Sequence, residues 1–319
     1  MTGPTLLARE IDEIPEAAAR LLDRGQGSIR DVARHLRRRD PAMMVTVARG
    51  SSDHAATVLA YACGQASGIV PASYPPSLAS LHAQRPRVAG QVAVAISQSG
   101  RSTDLIASAR ALRSGGAALV VLTNTPDAPL AREAELVIDI HAGPERAVAA
   151  TKSFVNSVLA GALLLGHWLD DPSLLASLQG LPDTLRAALS TPMPELARSL
   201  AMDDRLLVLG RGPSLGVAEE IALKAMELCG IPALAYSTAE LRHGPLQVIR
   251  DGHPVYDLTR GPALADTVPL RMPFGAGLHS VSDALLDLVP AYVALEAASR
   301  ARGLDPDAPD RLRKETVTR

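Results

Sequence analysis

Two cysteines, Cys63 and Cys229, are all that the 319-residue sequence contains. That is too few for a disulfide framework, and both sit in mainly apolar helical contexts, so two reduced, buried thiols are expected. Charge of one sign is also missing: 32 Lys and Arg face 34 Asp and Glu, a formal net charge of -2. Without a broad positive field nothing holds a nucleic-acid backbone, whereas a compact anionic ligand needs only a local site. No basic segment followed by an apolar run opens the chain. The longest uncharged apolar stretch in its middle, SVLAGALLLGHWL at 157–169, is too short to span a bilayer. It reads as a buried helix of a cytoplasmic protein, with no membrane partner. Also absent are HExxH and the tight ligand spacings of a zinc site, a GxGxxG fingerprint and a P-loop. Metal, nicotinamide and nucleotide chemistry therefore have no anchor, and no cofactor is expected.

The length accommodates two domains of ordinary size, and an internal repeat points the same way. Strand-like MMVTVARGSS at 43–52 runs into a helix rich in Ala and Leu. RLLVLGRGPS at 205–214 runs into another, so that Arg49-Gly50 recurs as Arg211-Gly212. Between them QVAVAISQSG, AALVVLTNT and AELVIDI alternate with helical patterns such as STDLIASARALRSGG, the rhythm of a mostly parallel sheet covered on both faces. The expected fold class is α/β, with two tandem domains, each a mostly parallel sheet flanked by helices. Residues 1–36 form an N-terminal helical segment broken near Pro15. Residues 37–185 and 186–305 form the two domains, bridged by the helices of 170–200, and 306–319 form a tail. The second domain reads as abbreviated or short of a segment. No long helix lies between Val255 and Leu270, where a full copy would need a crossover.

Three segments carry chemistry. In SQSGRSTD at 97–104 the end of a strand turns into a helix through Ser97, Gln98, Ser99 and Gly100, with Ser102 and Thr103 at the helix start. Free N–H groups of a helix N-terminus surrounded by hydroxyls make an anion site; Ser and Thr are equally ordinary helix caps, and the density of hydroxyls favours the ligand. The turn at 49–52 adds the Gly50 backbone and Ser52. A helix read as starting near Val217 places Glu220, Lys224 and Glu227 on one face. That spacing is also that of a solvent-exposed ion pair, but the intervening Ile221, Ala222, Leu223 and Met226 leave little exposed face. A carboxylate beside an ammonium, partly withheld from water, can accept a substrate proton; Glu227 is assigned that role, with Lys224 near the developing oxygen charge and Glu220 counted among the substrate-binding residues. In ELRHGP at 240–245 the Gly-Pro pair forces the chain out of regular structure and presents His243, whose imidazole suits proton exchange near neutral pH.

Taken in order, ARGSS, SQSGRSTD, AGPERAVAATKSF, EEIALKAMEL, AELRHGPL and DRLRKETVTR resemble the sugar isomerase (SIS) domain family, in particular the paired domains of the isomerase half of glucosamine-6-phosphate synthase and its stand-alone deaminase relatives. The resemblance runs from about residue 37 to Arg319. It implies that Ser52, Ser97, Gln98, Ser99 and Ser102 hold a sugar phosphate and that Glu227 moves a proton between C1 and C2. It further implies that His243 opens the sugar ring from a neighbouring subunit of a homodimer, and that Lys314 touches or covalently engages the open-chain sugar. Ala150 stands where the synthase pattern has Ser, so one contact there differs. PASYPPSLASLHAQRP replaces an acidic-aromatic pattern of the synthase, and the chain opens on Met-Thr-Gly-Pro without the glutamine-hydrolysing domain. The resemblance therefore implies a deaminase acting on a hexose or hexosamine 6-phosphate. Galactosamine 6-phosphate, a fructosamine-type phosphate, plain isomerisation or a non-catalytic sensor remain alternatives.

Overall fold

The computed structural model describes residues 3–249, 254–259, 269–271 and 277–314, and all statements below concern these residues. They fall into two compact units that interleave in sequence. One comprises Glu16–Pro144 and Lys152–Gly180; the other comprises Met1–Pro15, Glu145–Thr151 and Leu181–Lys314.

The first unit is built on a five-stranded parallel sheet of β1 (Met43–Val47), β2 (Val70–Ser73), β3 (Val92–Ile96), β4 (Ala118–Thr123) and β5 (Leu136–Asp139), in the order β2-β1-β3-β4-β5. β3 and β4 are buried at every position, as a strand covered on both faces must be. Alternate residues Val45, Val47, Ala93, Ala95, Leu119 and Val121 share one core with Leu105 and Leu112 of the Thr103–Ser114 helix. On the opposite face Thr46 and Val94 line a crevice with Leu59 and Leu164. There the Ser51–Ser67 helix meets the Lys152–Trp168 helix, and a Cβ on Gly161 would lie 2.1 Å from Leu59 Cδ1. Only glycine allows that approach. The apolar run of 157–169 is thus the buried helix expected of it: Lys152–Trp168 is buried at nearly every position, and no helix among the described residues is long and apolar enough to cross a membrane.

The second unit carries a four-stranded parallel sheet of β6 (Leu206–Gly210), β7 (Ala233–Ser237), β8 (Val255–Asp257) and β9 (Pro269–Arg271), in the order β7-β6-β8-β9. The Pro213–Cys229 helix packs against the Ser280–Ala301 helix. Its start differs from the Val217 expected: Pro213 occupies the first turn, where a missing N–H costs nothing and the fixed φ suits a helix. The opening segment is interrupted near Pro15 as expected: helices Leu6–Asp12 and Ile14–Arg24 part at Glu13, and Pro15 lies in the first turn of the second, where its missing N–H is tolerated. The expectation of no long helix between Val255 and Leu270 falls on residues outside those described. The Arg-Gly repeat has a structural counterpart. Gly50 (φ 53°, ψ −134°) and Gly212 (φ 62°, ψ −138°) each follow a five-residue strand closely and each cap a 17-residue helix.

Both cysteines are free and buried. Burial raises the Cys63 thiol and pushes Cys229 up to about 11 from its ordinary 9.0. An unfolded Cys229 ionises first, so its contribution to stability is complete below about 9 and is lost as pH rises through about 11. Native protein is expected to be unreactive towards an aromatic disulfide at neutral pH and to titrate both thiols after denaturation, while Cys229→Ala flattens the alkaline loss of stability. Prompt labelling of either native thiol would contradict this.

Candidate active site

In the first unit the strand order changes direction between β1 and β3, and ligands of open α/β sheets bind beyond the carboxyl ends of strands at such a point. The two turns read as phosphate-binding lie there. After β1, Gly50 takes its positive φ and Ser52 is half-buried in the first turn of the Ser51–Ser67 helix. After β3, Ser97 is buried and its Oγ accepts from the Gly100 N–H at 3.1 Å, while the Gln98 carbonyl accepts from the Asn124 N–H at 3.2 Å. Gly100 is obligatory: φ is 63°, and a Cβ would lie 2.6 Å from Ala128 Cβ. The half-buried Ser99 accepts from the Arg101 N–H at 3.4 Å. Ser102 occupies the N-cap of the Thr103–Ser114 helix but its side chain makes no capping bond. The ordinary use of a serine there is therefore not made, and its hydroxyl and the first-turn N–H groups share one helix end. An ion pair of Arg49 with the buried Asp104 carboxylate, 2.8 Å, ties the two turns together.

In the second unit the Pro213–Cys229 helix brings Glu220, Lys224 and Glu227 together as their spacing implies. Lys224 Nζ lies 2.5 Å from Glu227 Oε2 and 3.5 Å from Glu220 Oε1. Burial distinguishes their roles. The Lys224 and Glu220 side chains are 1% and 0% exposed, Glu227 21%, so Glu227 alone of the three reaches solvent. Glu220 also accepts from the Tyr292 hydroxyl at 3.1 Å. Glu220, read from the sequence as substrate-binding, thus has no exposed side-chain surface and meets Lys224 and Tyr292. Lys224 is likewise buried, with Glu227 the more exposed of that pair. Burial pulls its ammonium towards neutrality, but Glu220, Glu227 and Glu145 more than offset that and raise its pKa. The same carboxylates, added to burial, hold Tyr292 well above its ordinary value, so it stays a protonated donor.

Two residues were not singled out from the sequence. Tyr292 lies on a helix remote from Glu220 in the chain, and no pattern links them. Glu145 lies in the short segment 145–151 that also carries the half-buried Ala150; its Oε2 is 3.3 Å from Lys314 Nζ. The tail lysine is thereby placed within the same unit as the Lys224 cluster. His243 stands apart from both. It is exposed beyond the Thr238–Leu241 helix, on a cavity of about 790 Å³ whose lining includes Arg211, Ser214, Arg242 and Asp287 but neither Lys224 nor Glu227.

A parallel sheet with hydroxyl-bearing turns at a strand crossover in one unit, and a parallel sheet with a buried carboxylate-lysine cluster in the other, define the class, and sequence comparison agrees. The SIS domain matches residues 39–166 and 199–268, and the chain belongs to that family. A glutamine--fructose-6-phosphate aminotransferase (isomerizing) of Symbiobacterium thermophilum is 34% identical over 313 residues, covering 85% of this chain and 51% of the relative; the chain thus spans about half the length of the curated relatives it matches. A solved protein of Silicibacter pomeroyi DSS-3, provisionally described as a phosphosugar isomerase, is 41% identical with a TM-score of 0.87 over 95% of this chain and 100% of that one. Glucosamine-6-phosphate deaminase of Thermotoga maritima shares the fold at 20% identity, with a TM-score of 0.70 over 92% of this chain and 99% of its own.

Proposed function

We propose that the chain is a glucosamine-6-phosphate deaminase (isomerizing), converting glucosamine 6-phosphate and water to fructose 6-phosphate and ammonia. The observation that carries the reading is the Lys224 cluster: a carboxylate with partial access to solvent, 2.5 Å from a fully buried lysine, is a base whose charge is controlled by the protein. Phosphate capture is assigned to Gly50, Ser52, Ser97, Gln98, Ser99 and Ser102. Binding this remote group orients the substrate and offsets the ordering cost. His243 moves the hydroxyl proton that opens the ring and, as the family resemblance implies, does so in the neighbouring subunit of a homodimer. Glu227 then takes the C2 proton and returns it to C1, turning the aldose amine into a ketose imine through an enolamine, and water hydrolyses the imine. Lys314 neutralises oxyanion charge. The two-domain organisation with boundaries at 37–185 and 186–305 belongs to the same proposal, supported by the matching turns at Gly50 and Gly212.

Purified protein offered glucosamine 6-phosphate is expected to release ammonia and fructose 6-phosphate in equal amounts. Ketose phosphate without ammonia would replace deamination by plain isomerisation. Binding of the phosphosugar with neither product would make the chain a sensor. Parallel assays with galactosamine 6-phosphate and fructosamine phosphate read out the C4 configuration and the deglycase alternative.

A further inference from the structure

Glu145 contributes a carboxylate that is 0% exposed yet fully engaged: Oε1 accepts from the Thr151 N–H at 3.0 Å, and Oε2 meets Lys314 Nζ at 3.3 Å. Its segment is held independently, since Glu10 Oε1 accepts from the Arg146 N–H at 2.5 Å and Oε2 from the Ala147 N–H at 3.2 Å. The tail is also held independently. Asp307 accepts from the Leu6 and Leu7 N–H groups at 2.8 and 2.7 Å through its carboxylate, and from the Val148 N–H at 3.3 Å through its carbonyl. The ion pair is therefore not what docks either segment; what it fixes is the ammonium itself. The Lys314 side chain is 25% exposed, so its ammonium rests on a buried carboxylate while part of the side chain remains open to solvent.

We propose that Glu145 is a positioning residue for Lys314: its buried carboxylate, fixed on the Thr151 N–H, holds the tail ammonium where it meets the open-chain sugar. The proposal rests on the reading of Lys314 as part of the sugar-phosphate site. Glu145 also bears electrostatically on Lys224 and Tyr292, so the carboxylate that pairs with the tail ammonium is one whose charge also reaches the proton-transfer cluster. A buried carboxylate is costly unless paired and hydrogen-bonded, and a hydrogen bond to an ionised group is among the stronger ones. Exchanging Glu145 for glutamine keeps the shape and removes the charge.

The test is a double-mutant cycle on kcat/KM for the hexosamine phosphate, comparing Glu145→Gln, Lys314→Ala and the pair, together with acetic anhydride labelling of Lys314 read by mass spectrometry. Glu145→Gln is expected to lower kcat/KM roughly ten-fold, the scale of a lost charge-assisted hydrogen bond, and to raise Lys314 labelling several-fold. Adding it to Lys314→Ala should cost nothing further, because a residue acting through another has no effect once that other is gone. Fructose 6-phosphate affinity should stay within about two-fold, the phosphate cradle being untouched. Should Glu145→Gln fail to fold, Glu145→Asp is expected to give the same non-additivity at smaller amplitude. Additive losses, or Lys314 labelling unchanged by Glu145→Gln, would overturn the proposal. If Lys314→Ala alone leaves turnover intact, the site assignment of Lys314 fails, while the labelling arm still decides whether Glu145 holds it.

Discussion

Glu227→Gln is expected to leave fructose 6-phosphate binding nearly intact while the chemical step falls by roughly 10²-fold or more, the scale of losing a general base. The substitution preserves size and the hydrogen-bond contact with Lys224, 2.5 Å away in the native protein, and removes only the proton-accepting charge. Exchange of the C2 proton with deuterated solvent gives an independent readout and should disappear with turnover. Near-normal turnover, or exchange that persists, would make the Glu220-Lys224-Glu227 face a structural ion pair.

The second large effect is on stability. Lys224→Met places a chain of similar length in the same space but removes the ammonium 3.5 Å from the carboxylate of Glu220, whose side chain is 0% exposed. Breaking a buried pair by removing one partner costs about 3–5 kcal/mol, read in a domain of this size as a fall of roughly 10 °C in Tm. Because the native Lys224 is held above its ordinary 10.5, its contribution is fully present below that value and is lost only as pH climbs through the raised one. The penalty is therefore expected to be constant from neutrality to about pH 9. Adding Glu220→Gln should recover much of the loss, since the remaining buried group is then neutral. A Tm change of under about 2 °C in the single variant would mean that the lysine charge is not what holds this cluster.

The sequence made some of this legible and not the rest, for identifiable reasons. β1, β3, β4 and β5 were readable because their β-branched runs answer to burial in a parallel sheet. β2 was not: Val70 is 57% exposed and Pro71 sits mid-strand, a composition tolerated only at an edge. Helix spacing alone placed Glu220, Lys224 and Glu227 together, but spacing is blind to depth, so the sealed Glu220 looked equivalent to the partly open Glu227. Glu145 and Tyr292 left no local signal, because each matters through a partner far away in the chain. The local ELRHGP pattern pointed to proton exchange at His243, whereas its place in a neighbouring subunit and the role of Lys314 came only from the family resemblance.

The hydrogen bonds from Leu6 and Leu7 to Asp307 bring the opening helix and the segment around Asp307 together within one unit, and this bears on how the order of the segments can be rewritten. Linking Lys314 directly to the opening helix and opening the chain between Gly180 and Leu181, where one unit hands over to the other, would place Leu181–Lys314 and that helix consecutively. Glu16–Gly180 would follow, interrupted only by Glu145–Thr151. Two units whose segments alternate along the native sequence would then read almost one after the other in the permuted order. The segment 145–151, which carries Glu145, would remain as the short excursion by which one lobe borrows a side chain from the middle of the other's sequence.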